Sequence, residues 1–247
     1  MIIIKRDAQI ELMRKAGKVT LRAIETVQKY IKPGVTTLEL DTIAYEFIKS
    51  QGGHPSFLGY KGFPGSINSS INEVIVHGIP SLEKLKDGDI IGIDIGVNLG
   101  GYHGDAARTF GVGNISAENQ DLIDTAKKCF YAGIAQARHR NHLNLVCTAI
   151  EECATKHGYH IAEEFIGHGI GKDLHEEPDI PNFKMDKRGP RLYKGMTLAI
   201  EPMINIGTRD GVILNDGWTA ITKDKKNSAH YENTILVTDG EPEILTV

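Results

Sequence analysis

Apolar residues recur with a helical period in the first part of the chain. Between residues 7 and 31 they return every three or four positions, and Asp7 is a candidate N-cap. This spacing predicts an amphipathic helix over 7–31. A second helix is predicted over 37–50, because Thr36 and Glu39 have the spacing of a capping box.

The order of elements then repeats loosely along the chain. The periodicity predicts two further helices over 117–137 and 144–157, while the Gly-, Pro- and Ser-containing stretch 54–70 predicts an irregular loop. Apolar runs predict strands at 73–77, a hairpin over 90–110, and strands at 197–204 and 230–238. Each half therefore has helices followed by strands, and no linker separates the halves. We predict a single domain over 1–247.

The predicted hairpin carries two acidic residues in an otherwise apolar setting. A two-residue loop at Leu99-Gly100 would pair Asp94 directly with Asp105. Like charges that face each other across two strands repel. Burial of unpaired anions is also costly. A cation bound between the two carboxylates would remove both costs.

The second half of the chain offers a similar pair of acidic residues. Glu201 and Glu232 each lie in a predicted apolar strand, and if the halves pack face to face, four carboxylates converge on one centre. Two divalent ions would balance this charge. His168 in a glycine-flanked predicted loop, His175 and His77 are candidate imidazole donors. Oxygen-rich ligation favours Mn²⁺, whereas an imidazole also makes Fe²⁺, Co²⁺ or Zn²⁺ compatible.

Composition narrows the class of protein only a little. The chain has 247 residues, 40% hydrophobic and 24% charged, with a formal net charge of −4. These values are ordinary for a globular protein and indicate neither a nucleic-acid nor a membrane surface. The three cysteines form no CxxC pair, which fits a reducing compartment. The apolar N-terminal run is too short for a signal peptide, and the sequence contains no GxSxG motif or P-loop.

Several stretches together resemble the type I methionine aminopeptidases, and the resemblance covers nearly the whole chain. They are Ser70-Ile71-Asn72-Glu73 with Val76-His77-Gly78-Ile79-Pro80, Gly104-Asp105, Gly167-His168-Gly169-Ile170-Gly171, His175-Glu176-Glu177-Pro178, Ile200-Glu201-Pro202-Met203, Asp216-Gly217-Trp218 and Tyr231-Glu232. The resemblance implies the α+β pita-bread fold: a pseudo-twofold antiparallel sheet with helices packed on its outer face. It also implies a dinuclear metal centre.

Site residues follow from the resemblance position by position. It implies five metal ligands, namely Asp94, Asp105, His168, Glu201 and Glu232. Asp105 and Glu232 would bridge both ions, and Glu201 would accept and pass on a proton. His175 would hold the scissile carbonyl and stabilise the developing oxyanion. His77 would contact the substrate backbone.

The resemblance also implies a pocket for the methionine side chain. Its residues would be aromatic or aliphatic, namely Phe57, Tyr60, Phe63, Leu174 and Trp218. Asn68 stands near this pocket, where many relatives have a cysteine. Only about thirty residues separate His168 from Glu201, which is too few for the helical insertion of the type II enzymes.

The implied activity is removal of the initiator methionine from nascent polypeptides whose second residue is small. We expect a cytoplasmic monomer without nucleic-acid or membrane partners, and association with the ribosome is compatible with a nascent substrate. One alternative is a prolidase-like Xaa-Pro peptidase, which shares much of the ligand pattern. The other is a non-catalytic binding protein built on the same fold.

Overall fold

A computed structural model describes the protein over residues 1–247. Its α-helices are α1 (Asp7–Gln28), α2 (Thr37–Ser50), α3 (Ala117–Ile134) and α4 (Leu143–Lys156). Its strands in the first half are β1 (His54–Pro55), β2 (Asn68–Ile71), β3 (Val74–Val76), β4 (Ile90–Leu99) and β5 (Tyr102–Gly111). Those in the second half are β6 (His160–Ile161), β7 (Gly167–Gly169), β8 (Glu176–Ile180), β9 (Thr197–Ile200), β10 (Met203–Asn205), β11 (Gly211–Ile213), β12 (Ala220–Thr222), β13 (Ser228–His230), β14 (Asn233–Leu236) and β15 (Glu243–Ile244).

The four predicted helices are present, with shifts at their ends. The N-cap of α1 is Arg6 rather than Asp7, because Gln9 folds back and accepts a hydrogen bond from the Arg6 amide at 2.8 Å. Asp7 instead occupies the first turn, where an acidic side chain is favourable. The predicted capping box of α2 is confirmed, since Thr36 Oγ1 accepts from the Glu39 amide at 3.1 Å.

The register of the β4–β5 hairpin differs from the predicted one. Asp94 pairs with Ala107 and Asp105 pairs with Gly96, so the two aspartates are not directly opposite. The two-residue loop is Gly100-Gly101, not Leu99-Gly100. Both glycines have positive φ, 64° and 83°, as the favoured hairpin turns require. The aspartates are therefore diagonal neighbours on one face of the hairpin, which still brings them close together.

The strands of the second half are shorter and more numerous than predicted. The apolar run 197–204 is interrupted at Glu201-Pro202, because proline has no amide to donate to a ladder. The run 230–238 is likewise interrupted at 231–232, before β14 begins. The predicted loop 54–70 contains β1, most of β2 and a 3₁₀ turn over Tyr60–Gly62. His168 lies in strand β7 rather than in a loop.

The strands form antiparallel sheets that meet near the middle of the molecule. The sheet of the first half has β4 at its centre with β1, β2 and β5 beside it, and that of the second half has the order β15-β14-β9-β7-β8. Smaller three-stranded sheets have the orders β13-β10-β6 and β11-β12-β3. β5 also contacts β14, so the two larger sheets are neighbours. No helix of the structure has the length and apolar character needed to cross a bilayer.

Helices cover one side of each half. The alternate residues Ile91, Ile93 and Ile95 of β4 are fully buried in one apolar cluster with residues of α1 and α2. A second cluster joins α3 and α4 to β9 and β14. Each fully buried isoleucine contributes roughly 1.5–3 kcal/mol to folding. Because side chains alternate along a strand, burying these isoleucines turns Asp94 to the other face, away from the helices.

Candidate metal centre

Acidic and imidazole side chains from both halves line one cavity of about 290 Å³. Its wall combines this polar group with aromatic and aliphatic side chains. The lining residues are Phe57, Tyr60, Lys61, Phe63, Asn68, Val76, His77, Asp94, Asp105, Glu164, Phe165, Ile166, His168, His175, Glu201, Trp218 and Glu232. All five residues expected to bind metal are among them, and Leu174 is not. Leu174 is 3% exposed and lies in the same apolar cluster as Phe57 and Phe63.

The first half supplies Asp94 from β4 and Asp105 from β5. Asp94 is 8% exposed, and one of its oxygens accepts a hydrogen bond from the Asn68 side-chain amide at 2.6 Å. Asp105 is 3% exposed. Its amide donates to Thr234 Oγ1 at 2.9 Å, and that hydroxyl donates back to the Asp105 carbonyl at 3.0 Å. These bonds fix the strand that carries Asp105 to β14 of the second half.

The second half supplies Glu201 and Glu232 from the two strand breaks. Arg108 of β5 stabilises the second break: its guanidinium donates to the Glu232 carbonyl at 2.5 Å and to Asn233 Oδ1 at 2.7 Å. The same guanidinium lies 4.1 Å from the centre of the Tyr231 ring, a cation–π contact. The backbone around Glu232 is therefore tied directly to the strand that carries Asp105.

His168 is placed by a strand that approaches its neighbours unusually closely. A Cβ at Gly167 would lie 2.4 Å from the Ala199 carbonyl, and one at Gly169 would lie 2.1 Å from the Glu177 carbonyl. Glycine on both sides of His168 is therefore required by the packing of β7 between β8 and β9. His168 Nδ1 lies 2.8 Å from the Gly169 carbonyl. A hydrogen bond there leaves Nε2 free for a metal.

His175 and His77 lie beside the cluster of acidic side chains but are not part of it. The ring of His175 is 4.1 Å from that of His168, and its Nδ1 lies 2.9 Å from the Tyr60 hydroxyl. His77 has a positive φ of 60° and makes an edge contact with Trp218, with ring centres 6.1 Å apart. Strained backbone of this kind is typical of functional sites. Both histidines line the cavity, where a substrate can reach them.

Burial makes the four carboxylates hard to ionise together. It raises the pKa of Asp94 to about 7, although the hydrogen bond from Asn68 opposes this. Burial, followed by the charge of Asp94, raises the pKa of Asp105 well above its usual range. The pKa values of Glu201 and Glu232 are raised in the same way, by burial and by neighbouring carboxylates. The cluster thus lacks positive charge.

The histidines at the site are held in the neutral form that binds metals. Burial lowers the pKa of His168 to about 4 and that of His77 to about 4. The pKa of His175 is lowered to about 3 by partial burial and by the nearby His168. Neutral imidazoles do not balance the negative charge that the carboxylates carry when ionised, and divalent cations bound among them would balance it.

The residues present fit bound divalent ions. One oxygen each of Asp94, Asp105 and Glu232 is buried without any hydrogen-bond partner. Ligand atoms of Asp105, His168 and Glu232 lie within 4.8 Å of one another. Glu201 Oε1 is 3.6 Å from His168 Nε2. Unpartnered buried oxygens around a shared space are the pattern that a metal ion resolves.

Some residues at the site were not predicted from the sequence. Arg108 and the Glu164–Ile166 segment had no signal, because their partners are distant in sequence. The sequence marked Asn68 only as an asparagine where many relatives have a cysteine, but its side-chain amide donates a hydrogen bond to Asp94. His230 is buried beside Glu201 and Glu232. Its position two residues before the predicted ligand Glu232 had made it a candidate for a supporting role, but not for a place in the site itself.

The fold and this donor set define the class of protein. The model of metallopeptidase family M24 matches residues 11–239, and the chain belongs to that family. It is therefore a metal-dependent hydrolase, and the expected pita-bread fold is confirmed.

Particular relatives narrow the class further. The chain is 49% identical to a methionine aminopeptidase of Clostridium perfringens over 100% of this chain and 99% of the relative. It is 48% identical to methionine aminopeptidase 1 of Bacillus subtilis, with coverage of 100% and 99%. The solved methionine aminopeptidase of Rickettsia prowazekii superposes with a TM-score of 0.98 at 40% identity, covering 100% of both chains.

Prolidases share the fold but are less similar. The prolidase of Pyrococcus furiosus matches with a TM-score of 0.80 at 21% identity, covering 99% of this chain and 65% of that one. This likeness concerns the fold alone. The resemblance to type I methionine aminopeptidases is confirmed by the higher identities over full length.

Proposed function

We propose that the protein is a methionine aminopeptidase that removes the initiator methionine from nascent polypeptides. The observation that carries this proposal is the convergence of the buried carboxylates of Asp94, Asp105 and Glu232, the half-buried Glu201 and the buried His168 on a cavity that also has an aromatic wall. Relatives named methionine aminopeptidase are nearly half identical over their full length. The whole chain, 1–247, is proposed to act as one catalytic domain.

The ligand set is proposed to hold two divalent ions, with Asp94, Asp105, His168, Glu201 and Glu232 as ligands. Four carboxylates match the charge of two such ions, and by resemblance to the family Asp105 and Glu232 would be the residues that bind both. Bound divalent ions lower the pKa of water and polarise a carbonyl group. The mixture of oxygen and nitrogen donors is compatible with Mn²⁺, Fe²⁺, Co²⁺ or Zn²⁺.

The cavity accounts for the choice of an N-terminal methionine. With the ions bound, a free α-amino group would be a ligand to one of them, so a chain terminus would be favoured over an internal peptide bond. Phe63 and Trp218 make an edge contact with ring centres 5.1 Å apart, and Phe57 lies in the same apolar cluster. A thioether gains favourable contacts with such rings. The preference for a small second residue is proposed from the resemblance to the family.

Protons and charge at the scissile bond are assigned to three side chains. Glu201 is proposed to accept a proton from water and pass it to the leaving amine. His175 is proposed to donate a hydrogen bond to the carbonyl oxygen as it becomes negative, with Tyr60 at 2.9 Å orienting its ring. His77 is proposed to contact the substrate backbone.

Hydrolysis of Met-Ala-Ser, compared with that of an Ala-Pro dipeptide, tests this function. We expect metal-dependent release of methionine from the tripeptide and little cleavage of the dipeptide. Glu232→Ala should abolish turnover, while Glu118→Ala, on an exposed helical position, should not. Preference for Ala-Pro would favour the prolidase-like alternative. Absence of both activities in the metal-loaded protein would favour a binding protein.

The proposed cellular location and partners of the protein follow from this substrate. A nascent chain carries its initiator methionine in the cytoplasm, so we propose a cytoplasmic location, with the emerging N-terminus as the main partner. We propose that the protein acts as a monomer. Association with the ribosome would bring the enzyme to its substrate.

A further inference from the structure

His230 is a buried imidazole that no step of the proposed reaction uses. It is the last residue of β13, and 4% of it is exposed. Thr109 of β5 fixes its backbone on both sides: the His230 amide donates to Thr109 Oγ1 at 2.9 Å, and that hydroxyl donates to the His230 carbonyl at 3.0 Å. The position of the ring is therefore set by two strands.

The Nε2 atom of this ring is buried and has no hydrogen-bond partner. Carboxylate oxygens lie nearby, with Glu232 Oε2 at 3.8 Å and Glu201 Oε2 at 3.9 Å. Both distances are too long for a hydrogen bond. A polar atom buried in this way, and pointed at two carboxylates, requires an explanation.

A shared cation explains the spacing. Two donor atoms that each lie about 2.0–2.2 Å from one metal ion can be separated by at most about 4.4 Å. The separations of 3.8 and 3.9 Å fall within that limit. On the opposite side, His168 Nε2 is 3.6 Å from Glu201 Oε1. The Glu201 carboxylate therefore lies between two imidazoles, with His168 near Oε1 and His230 near Oε2.

We propose that His230 is an additional metal ligand, whose Nε2 binds the ion held by Glu201 and Glu232. The centre then has two imidazole donors instead of one. Additional nitrogen ligation shifts selectivity toward Fe²⁺, Co²⁺ and Zn²⁺ and away from Mn²⁺, which prefers oxygen. This inference rests on the metal centre of the proposed function and is independent of the peptide substrate.

Proton NMR of the cobalt-substituted protein counts imidazole ligands directly. Each histidine bound through Nε2 retains an exchangeable proton on Nδ1, and the paramagnetic ion shifts its signal far downfield. We expect two such signals in the wild type and one in His230→Gln. The control His160→Gln alters an exposed histidine of β6 in the same small sheet and should keep both signals. X-ray absorption at the cobalt edge gives an independent count of imidazoles.

Titration of the metal-free proteins with Co²⁺ and Mn²⁺ provides the second measurement. Loss of a ligand should weaken Co²⁺ binding in His230→Gln at least about 10-fold, with a smaller loss for Mn²⁺. A single shifted imidazole signal in the cobalt-loaded wild type would overturn the proposal, whether or not the variant folds. Unchanged Co²⁺ affinity in a folded His230→Gln protein would also overturn it. Failure to cleave Met-Ala-Ser would count against the substrate assignment only.

Discussion

Replacement of Asp94 by asparagine is expected to stabilise the metal-free protein. The change removes a buried carboxylate that is costly to ionise, and an asparagine oxygen can still accept the hydrogen bond from Asn68. Burial raises the pKa of Asp94 from 3.8 to about 7. Because the folded state holds the proton more tightly than the unfolded state, ionisation of Asp94 destabilises the fold as pH rises.

The expected magnitude follows from this pKa. A rise from 3.8 to about 7 corresponds to about 4 kcal/mol of destabilisation by the charged form at about pH 8. Water entering the cavity offsets part of that cost, so we expect Asp94→Asn to add about 2–4 kcal/mol to the free energy of unfolding. For a chain of this size the melting temperature would rise by roughly 5–15 °C.

Urea unfolding of the metal-free wild type and variant between about pH 4 and pH 8 is the assay. The gain should be close to zero near pH 4, grow as the pH rises to about 7, and then level off. Asp124→Asn, on an exposed position of α3, should change stability by less than about 0.5 kcal/mol. Saturating metal should reverse the order, because only the wild type keeps a full ligand set. A pH-independent gain, or lower stability in metal-free Asp94→Asn, would refute the argument.

Three further substitutions probe the surroundings of the site. Arg108→Met loses the hydrogen bonds to the Glu232 carbonyl and to Asn233 Oδ1 and the cation–π contact with Tyr231, so calorimetric titration should show metal affinity at least about 10-fold weaker; unchanged affinity would exclude this positioning role. Trp218→Ala should raise the KM for Met-Ala-Ser more than it lowers kcat. A fall in kcat with an unchanged KM would contradict the place of Trp218 in the methionine pocket. Lys5→Met leaves the buried Glu176 carboxylate unpaired and should cost about 3–5 kcal/mol in urea unfolding, whereas a loss under about 1 kcal/mol would contradict it.

The acidic residues of the site could be predicted because they interrupt apolar strands. The hairpin shows why this prediction tolerated an error in register. Moving the two-residue loop by one position shifts the pairing partner by two residues, and side chains alternate with a period of two. Asp94 and Asp105 therefore remain on one face in either register. The choice between the two loops depends on the positive φ at Gly100 and Gly101, which apolar periodicity does not report.

Other features depend on contacts between distant parts of the chain. Arg108 and Glu232 are 124 residues apart in sequence, yet they share a hydrogen bond. His230 is 121 residues from Thr109, which fixes its backbone. Local patterns cannot indicate such pairs. By contrast, the strand break after Glu201 could have been predicted from Pro202, since proline is disfavoured inside a central strand.

Stepwise metal addition to the metal-free protein, followed by mass spectrometry of Met-Ala-Ser and of its N-acetylated form, shows whether bound metal drives cleavage at a free N-terminal methionine. We expect no cleavage without metal, release of free methionine from Met-Ala-Ser as metal is added, and no release from the acetylated peptide. Glu232→Ala should stay inactive at every metal concentration. Cleavage of Met-Ala-Ser that persists without metal, or full activity of Glu232→Ala, would show that this metal centre does not carry out the hydrolysis.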